Sequence, residues 1–248
     1  MDRTRSLSQS ERPLTWLFAG DSITQGAVHT RGSRDYTQLF RERLWGLTRC
    51  EDVVINTAVA GWGVASLVPR VEERIVRFRP DVLFLMFGTN DAAAGPDGTP
   101  RFAQDYAAVI GECRSHGIEN IVLQTTVPWL AVDPEHALEV HYLGEGATRA
   151  ANIQALRMLM AHIPAYFEAT RVAATELGVA LVDHYSAWRA VGPLIAGLLN
   201  GGFHPNEYGH RFMAHTIFRA CGMWDDASWT CRLFVPIEAP GLLGTTRA

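Results

Sequence analysis

The sequence predicts a three-layer α/β/α sandwich around a five-stranded parallel sheet, and three observations carry that prediction. Five short apolar runs recur along the 248 residues: Leu14–Ala19, Val53–Ala58, Val82–Phe87, Ile121–Thr126 and Val179–Val182. Each is strand-sized and apolar almost throughout, which suits burial on both faces of a parallel sheet. Segments of helical periodicity separate them, and strand alternating with helix five times builds a layered α/β fold. The length fits one large domain better than two small ones.

Taken in order, Met1 to Arg12 is polar and carries three arginines, so residues 1–12 are expected to be a flexible N-terminus ahead of a domain over residues 13–222. After the first strand, Asp35–Leu47 places Tyr36, Leu39, Phe40, Leu44 and Leu47 on one helical stripe. Leu67–Phe78 does the same with Val71, Ile75 and Phe78. Phe102–His116 follows, then a long helix near Arg149–Leu177 whose Pro164 should kink or split it. Between them Ala131–Ala147 is long and loop-like, a candidate lid. The last helix is expected from Pro205, where proline suits the first turn, to Cys221 just before Gly222. Residues 223–248 fall outside this rhythm. They are expected to form a C-terminal extension packed on the domain or on a partner chain, which leaves a homo-oligomer open.

All 22 basic residues are arginine; the chain has no lysine. Schiff-base chemistry, including a tethered pyridoxal phosphate, and the lysine of a Walker-type phosphate loop are therefore excluded. A net charge of −4 and a pI near 6.1 come with no basic stripe, so no nucleic-acid partner is expected. The N-terminus lacks the apolar stretch of roughly 7–15 residues that a secretory signal needs. No run reaches the roughly 18 apolar residues of a membrane span. The expectation is a cytoplasmic protein with no membrane partner. Cys50, Cys113, Cys221 and Cys231 form no CxxC pair and read as reduced thiols, with a Cys221–Cys231 bridge as the alternative.

The chemistry collects behind the strands, where ligands bind in such sheets. Gly20-Asp21-Ser22-Ile23-Thr24-Gln25-Gly26 follows the first, Ala60-Gly61-Trp62-Gly63 the second and Gly88-Thr89-Asn90-Asp91 the third, while His204-Pro205-Asn206 opens the last helix. A serine hydroxyl needs an adjacent base, and His204 is the candidate. A tetrahedral intermediate puts negative charge on the former carbonyl oxygen. The backbone N–H groups of Ser22 and Gly61 and the Asn90 amide would supply three donors to it.

These blocks resemble those of the SGNH (GDSL-type) hydrolase superfamily of esterases, lipases and deacetylases, whose flavodoxin-like fold fits the predicted sandwich. GDSITQG resembles the first block, with Ser22 at the nucleophile position. INTAVAGWG resembles the second, with Gly61 on the oxyanion glycine, although Ala58 replaces a frequent glycine. FGTNDA matches the third, with Asn90 as the oxyanion amide, and HPNEYGH the fifth, with His204 as the base. The four blocks span residues 20–210 in the family's order.

One departure bears on mechanism. The family places an aspartate three residues before the histidine to orient its ring, and here that position is Gly201. The carbonyl of Asn200 or a backbone carbonyl could accept from the His204 Nδ1–H; Asp183, after the fifth strand, could supply an acid from elsewhere, but a Ser22–His204 pair is preferred to that. Taken singly, Ser22 would be a turn or cap residue, and Asp21 and Asn56 read as structural. His210 and His215 read as packing or surface residues. His136 and His141 lie near Glu135, Glu139 and Glu145, but in no common metal spacing, so neither metal nor cofactor is expected. Trp62 and Trp129 are candidate walls of the substrate pocket.

The reading is a metal-independent ester hydrolase acting through Ser22 and His204 on a small-molecule ester with a short acyl chain, such as an acetyl group on a sugar. The alternatives are acyl transfer to an alcohol other than water, and a degenerate relative that binds an acylated ligand without efficient turnover. Nucleotide binding at Gly61-Trp62-Gly63-Val64-Ala65-Ser66 is a third, weakened because Ser66 stands where GxGxxG needs glycine.

Overall fold

The computed structural model describes residues 10–27, 29–129, 149–200 and 202–232. The five apolar runs become β1 (Thr15–Gly20), β2 (Val53–Asn56), β3 (Val82–Met86), β4 (Ile121–Gln124) and β5 (Ala180–Val182). They form one sheet in the order β2-β1-β3-β4-β5, with every pairing parallel. The chain steps outward from β1 to β2, then returns across it to β3. Connections leave β1 and β3 toward opposite faces, and the crevice between their carboxyl ends is where such sheets hold ligands.

Helices cover both faces. In chain order they are α1 (Ser22–Gln25), α2 (Tyr36–Gly46), α3 (Val64–Leu67), α4 (Val71–Arg74), α5 (Thr99–Ser115), α6 (Arg149–Glu176), α7 (His184–Arg189) and α8 (Glu207–Ala220). Alternate side chains of each strand point to opposite faces. Trp16, Phe18, Phe84 and Val122 therefore pack with Tyr36 and Phe40 of α2 and Phe212 and Ile217 of α8. Leu17, Leu83, Leu85 and Leu123 pack with Phe102, Tyr106 and Val109 of α5 and Ile163 and Phe167 of α6. At the centre, Phe18 stacks on Phe84 with ring centroids 4.5 Å apart and meets Phe40 edge-on. Each such side chain contributes about 1.5–3 kcal/mol on burial.

Several elements differ from expectation. Burial on both faces holds for β1, β3 and β4, but β2 is an edge strand and Val53 is exposed. The helix expected over Leu67–Phe78 is broken into α3, a 3-10 turn at Val68–Arg70, α4 and a second 3-10 turn at Val76–Phe78. Pro69 sits in the first of these turns and cannot donate to a continuing α-ladder. The long helix runs unbroken through Pro164. A proline inside a helix costs about 3 kcal/mol; Pro164 itself is exposed, and the neighbouring Ile163, Tyr166 and Phe167, all buried, outweigh that cost. The last helix starts at Glu207 rather than Pro205, because the Asn206 side chain accepts from the N–H groups of Tyr208 and Gly209 and caps it. Pro205 instead pairs with Leu199 in a short antiparallel hairpin of β6 (Leu199–Asn200) and β7 (His204–Pro205).

All four cysteines are free thiols, so the Cys221–Cys231 bridge is absent. Residues 223–232 lie against α2. There the buried Arg43 guanidinium donates to Met223 O at 2.6 Å, Ser228 Oγ at 2.8 Å and Thr230 Oγ1 at 2.9 Å. At the other end, Arg49 donates to the carbonyls of Ser10 and Arg12, and Arg12 pairs with Asp81. The candidate lid at Ala131–Ala147, with His136 and His141, lies outside the described residues.

Candidate active site

Ser22 owes its position to a tight turn at the carboxyl end of β1. Asp21 caps α1 by accepting from Ile23 N at 2.9 Å. Gly20 lets this turn close against β3, since a Cβ there would stand 2.4 Å from Thr24 Oγ1 and 2.7 Å from Met86 O. Ser22 thus begins the helix, where its own N–H has no intrahelical acceptor.

His204 arrives from 182 residues further along the chain. The β6–β7 hairpin carries it as the cross-strand partner of Asn200, and the Asn206 cap launches α8 immediately afterwards. The two side chains meet: Ser22 Oγ lies 2.8 Å from His204 Nε2, with both residues buried. A hydroxyl at that distance from an imidazole can surrender its proton as it attacks an electrophilic carbon.

The second and third strand-end loops are bonded to the first and to each other. Val59 N donates to Gly20 O at 3.0 Å, and Asn56 Nδ2 donates to Thr24 O while its Oδ1 accepts from Ala58 N. Asn90 Nδ2 donates to Trp62 O at 2.9 Å, which orients the amide and uses one of its two N–H groups. Asp91 accepts from Val64 N and Gly88 N, each at 2.9 Å. Gly61 has φ +80°, a conformation that favours glycine, and a Cβ there would meet nothing within 4 Å. Close approach within the protein is therefore not what requires glycine at position 61; its backbone conformation is.

The two candidate orienters of His204, Asp183 and Asn200, each make other contacts. Asp183 caps α7, and its oxygens accept from Arg171 Nε and Nη2, from Ser186 N and Oγ, and from Thr125 Oγ1. Asn200 accepts from Arg31 Nη2 at 3.0 Å and donates to His29 O at 3.1 Å. Sequence reasoning missed His29 itself. Its ring lies 3.4 Å from that of His204, and no spacing could have signalled a contact made only in the folded chain.

Trp62 is half-buried, with the Arg70 and Arg74 guanidiniums 5.1 and 5.3 Å from its ring. Trp129 stacks on Phe203 at 4.1 Å, and Phe203 lies 4.1 Å from His204. Trp129 also lines a cavity of about 560 Å³ with Met160, Phe167, Tyr185 and Ile195. Among the described residues no group of three or more His, Cys, Asp or Glu side chains is arranged to hold a metal ion.

Four buried ionisable groups surround this centre. Burial raises Asp21 to about 7, helped by the nearby Asp91 charge and opposed by the Ile23 N–H. Burial likewise raises Asp91 to about 6. His184, which pairs with Gln124 in the core, and His210, which accepts from Tyr36 N, are both pushed down to about 3 by burial. The two pairs act oppositely on stability. The raised aspartates add stability as pH falls from about 7 toward the ordinary carboxylate range, whereas the lowered histidines remove it as pH falls below about 6.5. Between about pH 6 and 4 the folded state holds two extra protons on the aspartates and the unfolded state two on the histidines, so these contributions cancel. Asp91→Asn removes one of the two aspartates from the balance. Relative to wild type, its unfolding free energy in urea should fall by about 1.4 kcal/mol per pH unit from pH 6 to 4. Parallel pH profiles for the two proteins would contradict the assignment.

Comparison with known proteins adds the following. Residues 18–212 match the model of the GDSL-like Lipase/Acylhydrolase family. A Bacillus subtilis (strain 168) protein named as an uncharacterized lipoprotein, YqeF, is 28% identical over 176 residues, covering 66% of this chain and 70% of its own length. Among solved structures, an acetyl-xylooligosaccharide esterase from Geobacillus stearothermophilus, Axe2, is similar with a TM-score of 0.63 and 20% identity, covering 84% of this chain and 94% of its own. Its structures include catalytic mutants of a serine, of a histidine and of an aspartate three residues before that histidine. The acetyl xylan esterase AlAXEase is similar with a TM-score of 0.62 and 24% identity, covering 84% of this chain and 99% of its own. No helix among the described residues is long and apolar enough to cross a membrane.

Proposed function

The chain belongs to the GDSL-like lipase/acylhydrolase family, and from that premise we propose a serine ester hydrolase that removes short acyl groups, acetyl above all, from small carbohydrate esters. The observation that carries the reading is the 2.8 Å contact between Ser22 Oγ and His204 Nε2 at the carboxyl edge of the sheet. On this reading Ser22 attacks the ester carbonyl while His204 takes its proton. The N–H groups of Ser22 and Gly61 and the second N–H of the Asn90 amide receive the oxyanion. In other hydrolases one such donor is worth about 10²–10³ in rate. His204 then protonates the departing alcohol, and water repeats the cycle on the acyl-enzyme. Nucleophile, base and charge stabilisation are all supplied by the chain, so the scheme has no step that calls on a metal or cofactor.

The acetyl and sugar specificity draws on the esterases of similar fold, which are named for acetylated xylan and its oligosaccharides. Trp129, which lines the cavity of about 560 Å³, supports it as an aromatic wall of the kind small-molecule pockets have. The test is a substrate series: p-nitrophenyl acetate, butyrate and octanoate, with acetylated xylo-oligosaccharide followed by acetate release. The expected order of kcat/KM is acetate, then butyrate, then octanoate, with acetate released from the oligosaccharide. A preference for octanoate would transfer the assignment to longer chains, with the cavity beside Trp129 as their site.

A further inference from the structure

For Nε2 to face Ser22, the His204 ring must be held in one plane, and the His29 ring lies directly against it. At 3.4 Å between centroids and 8° between planes, the His29 and His204 rings overlap almost completely. Tilting the His204 plane would drive it into His29. Stacking acts on the ring face and leaves the in-plane nitrogen directions to hydrogen bonds, so it does not compete with the contact to Ser22.

His29 is itself held. The chain turns at Gly26, which ends α1 in the left-handed region against Asp35. His29 N then donates to Ala27 O at 2.7 Å, and His29 O accepts from Asn200 Nδ2. Arg31, two residues on, donates to Asn200 Oδ1. Asn200 is the cross-strand partner of His204, so one side chain joins the hairpin carrying the base to the loop carrying the second imidazole.

We propose that His29 is a positioning residue for His204, fixing the plane of its imidazole by ring stacking. Asn200 then acts on His204 through the His29 loop. This inference rests on the Ser22–His204 reading and is tested together with it.

The experiment measures kcat, KM and thermal midpoint on the full chain with p-nitrophenyl acetate. His29→Ala is expected to lower kcat about tenfold to a hundredfold, as misplacement of a reacting group does. KM should stay within about twofold, because ground-state binding is untouched. His29→Phe keeps a flat ring without ring nitrogens and is expected to recover most of the lost kcat. Wild-type turnover in His29→Ala, or a His29→Phe enzyme as slow as the alanine variant, would overturn the inference. If the alanine variant does not fold, His29→Asn against His29→Phe gives the same comparison between a flexible polar side chain and a ring. Ser22→Ala separates the two levels. Turnover retained there overturns the underlying reading, whereas turnover that needs Ser22 and ignores His29 overturns this inference alone.

Discussion

Ser22→Ala is expected to lower kcat for p-nitrophenyl acetate by about 10³ or more, with KM little changed. The magnitude follows from two comparisons. In a serine protease with a full triad, losing the nucleophile costs about 10⁶. Weakening the acid alone costs such an enzyme about 10⁴, much of it through the wrong imidazole tautomer. If that weakening applied in full here, losing Ser22 would cost only about 10²; a pair that lacks the in-sequence carboxylate but keeps its ring oriented falls between about 10² and 10⁶. The alanine fits easily, because Ser22 is buried with Ile23 and Thr24 in a short helix whose cap comes from Asp21, not from the serine side chain. Stability should therefore be unchanged, and the loss reports chemistry. Initial rates together with a melting curve check this. Turnover within about tenfold of wild type would contradict the assigned nucleophile.

His204→Gln is expected to cost about the same. The glutamine amide can still approach Ser22 Oγ, so the contact at 2.8 Å can be partly kept. What it cannot do is accept a proton near neutral pH and later return it to the leaving alcohol. The two residues form one unit, and such effects do not add. The Ser22→Ala/His204→Gln double variant should be no slower than either single variant, to within about threefold. Additive losses, approaching the product of the two, would mean that the side chains act separately. In that case the hydrogen bond between them would be incidental to catalysis.

How much of this was legible in the sequence depends on the range of each interaction. The strands were legible because apolar runs such as Val82–Phe87 are local, and the structure buries all of β3. The exposure of Val53 was not, because edge position is a property of strand order and not of the strand. The break in the Leu67–Phe78 helix could have been read from Pro69, whereas Pro164 shows the same residue overruled by packing on both sides. The start of α8 turned on a single side chain, because Asn206 caps more strongly than Pro205 initiates.

At the site, Ser22, Gly61, Asn90 and His204 each sit in a short block next to a strand end or a helix start. Their placement follows from local sequence plus sheet topology. The residues that position them are a different matter. Nothing near Asn200 announces that its side chain reaches His29, nor that His29 lies over His204 from 175 positions away. Asp183 looked available as an acid until the structure filled its carboxylate with Arg171 and Ser186. Contacts that span the fold are invisible to spacing, and the stack of His29 on His204 is such a contact.

The central claim is that Ser22, activated by His204, forms the covalent acyl intermediate. The most direct measurement is reaction of the full chain with a fluorophosphonate, followed by intact mass and peptide mapping. The account predicts a single adduct on the peptide bearing Gly20-Asp21-Ser22, assigned to Ser22. It predicts no adduct in Ser22→Ala and strongly slowed labelling in His204→Gln. An unlabelled wild-type protein, or an adduct on any other residue, would contradict it.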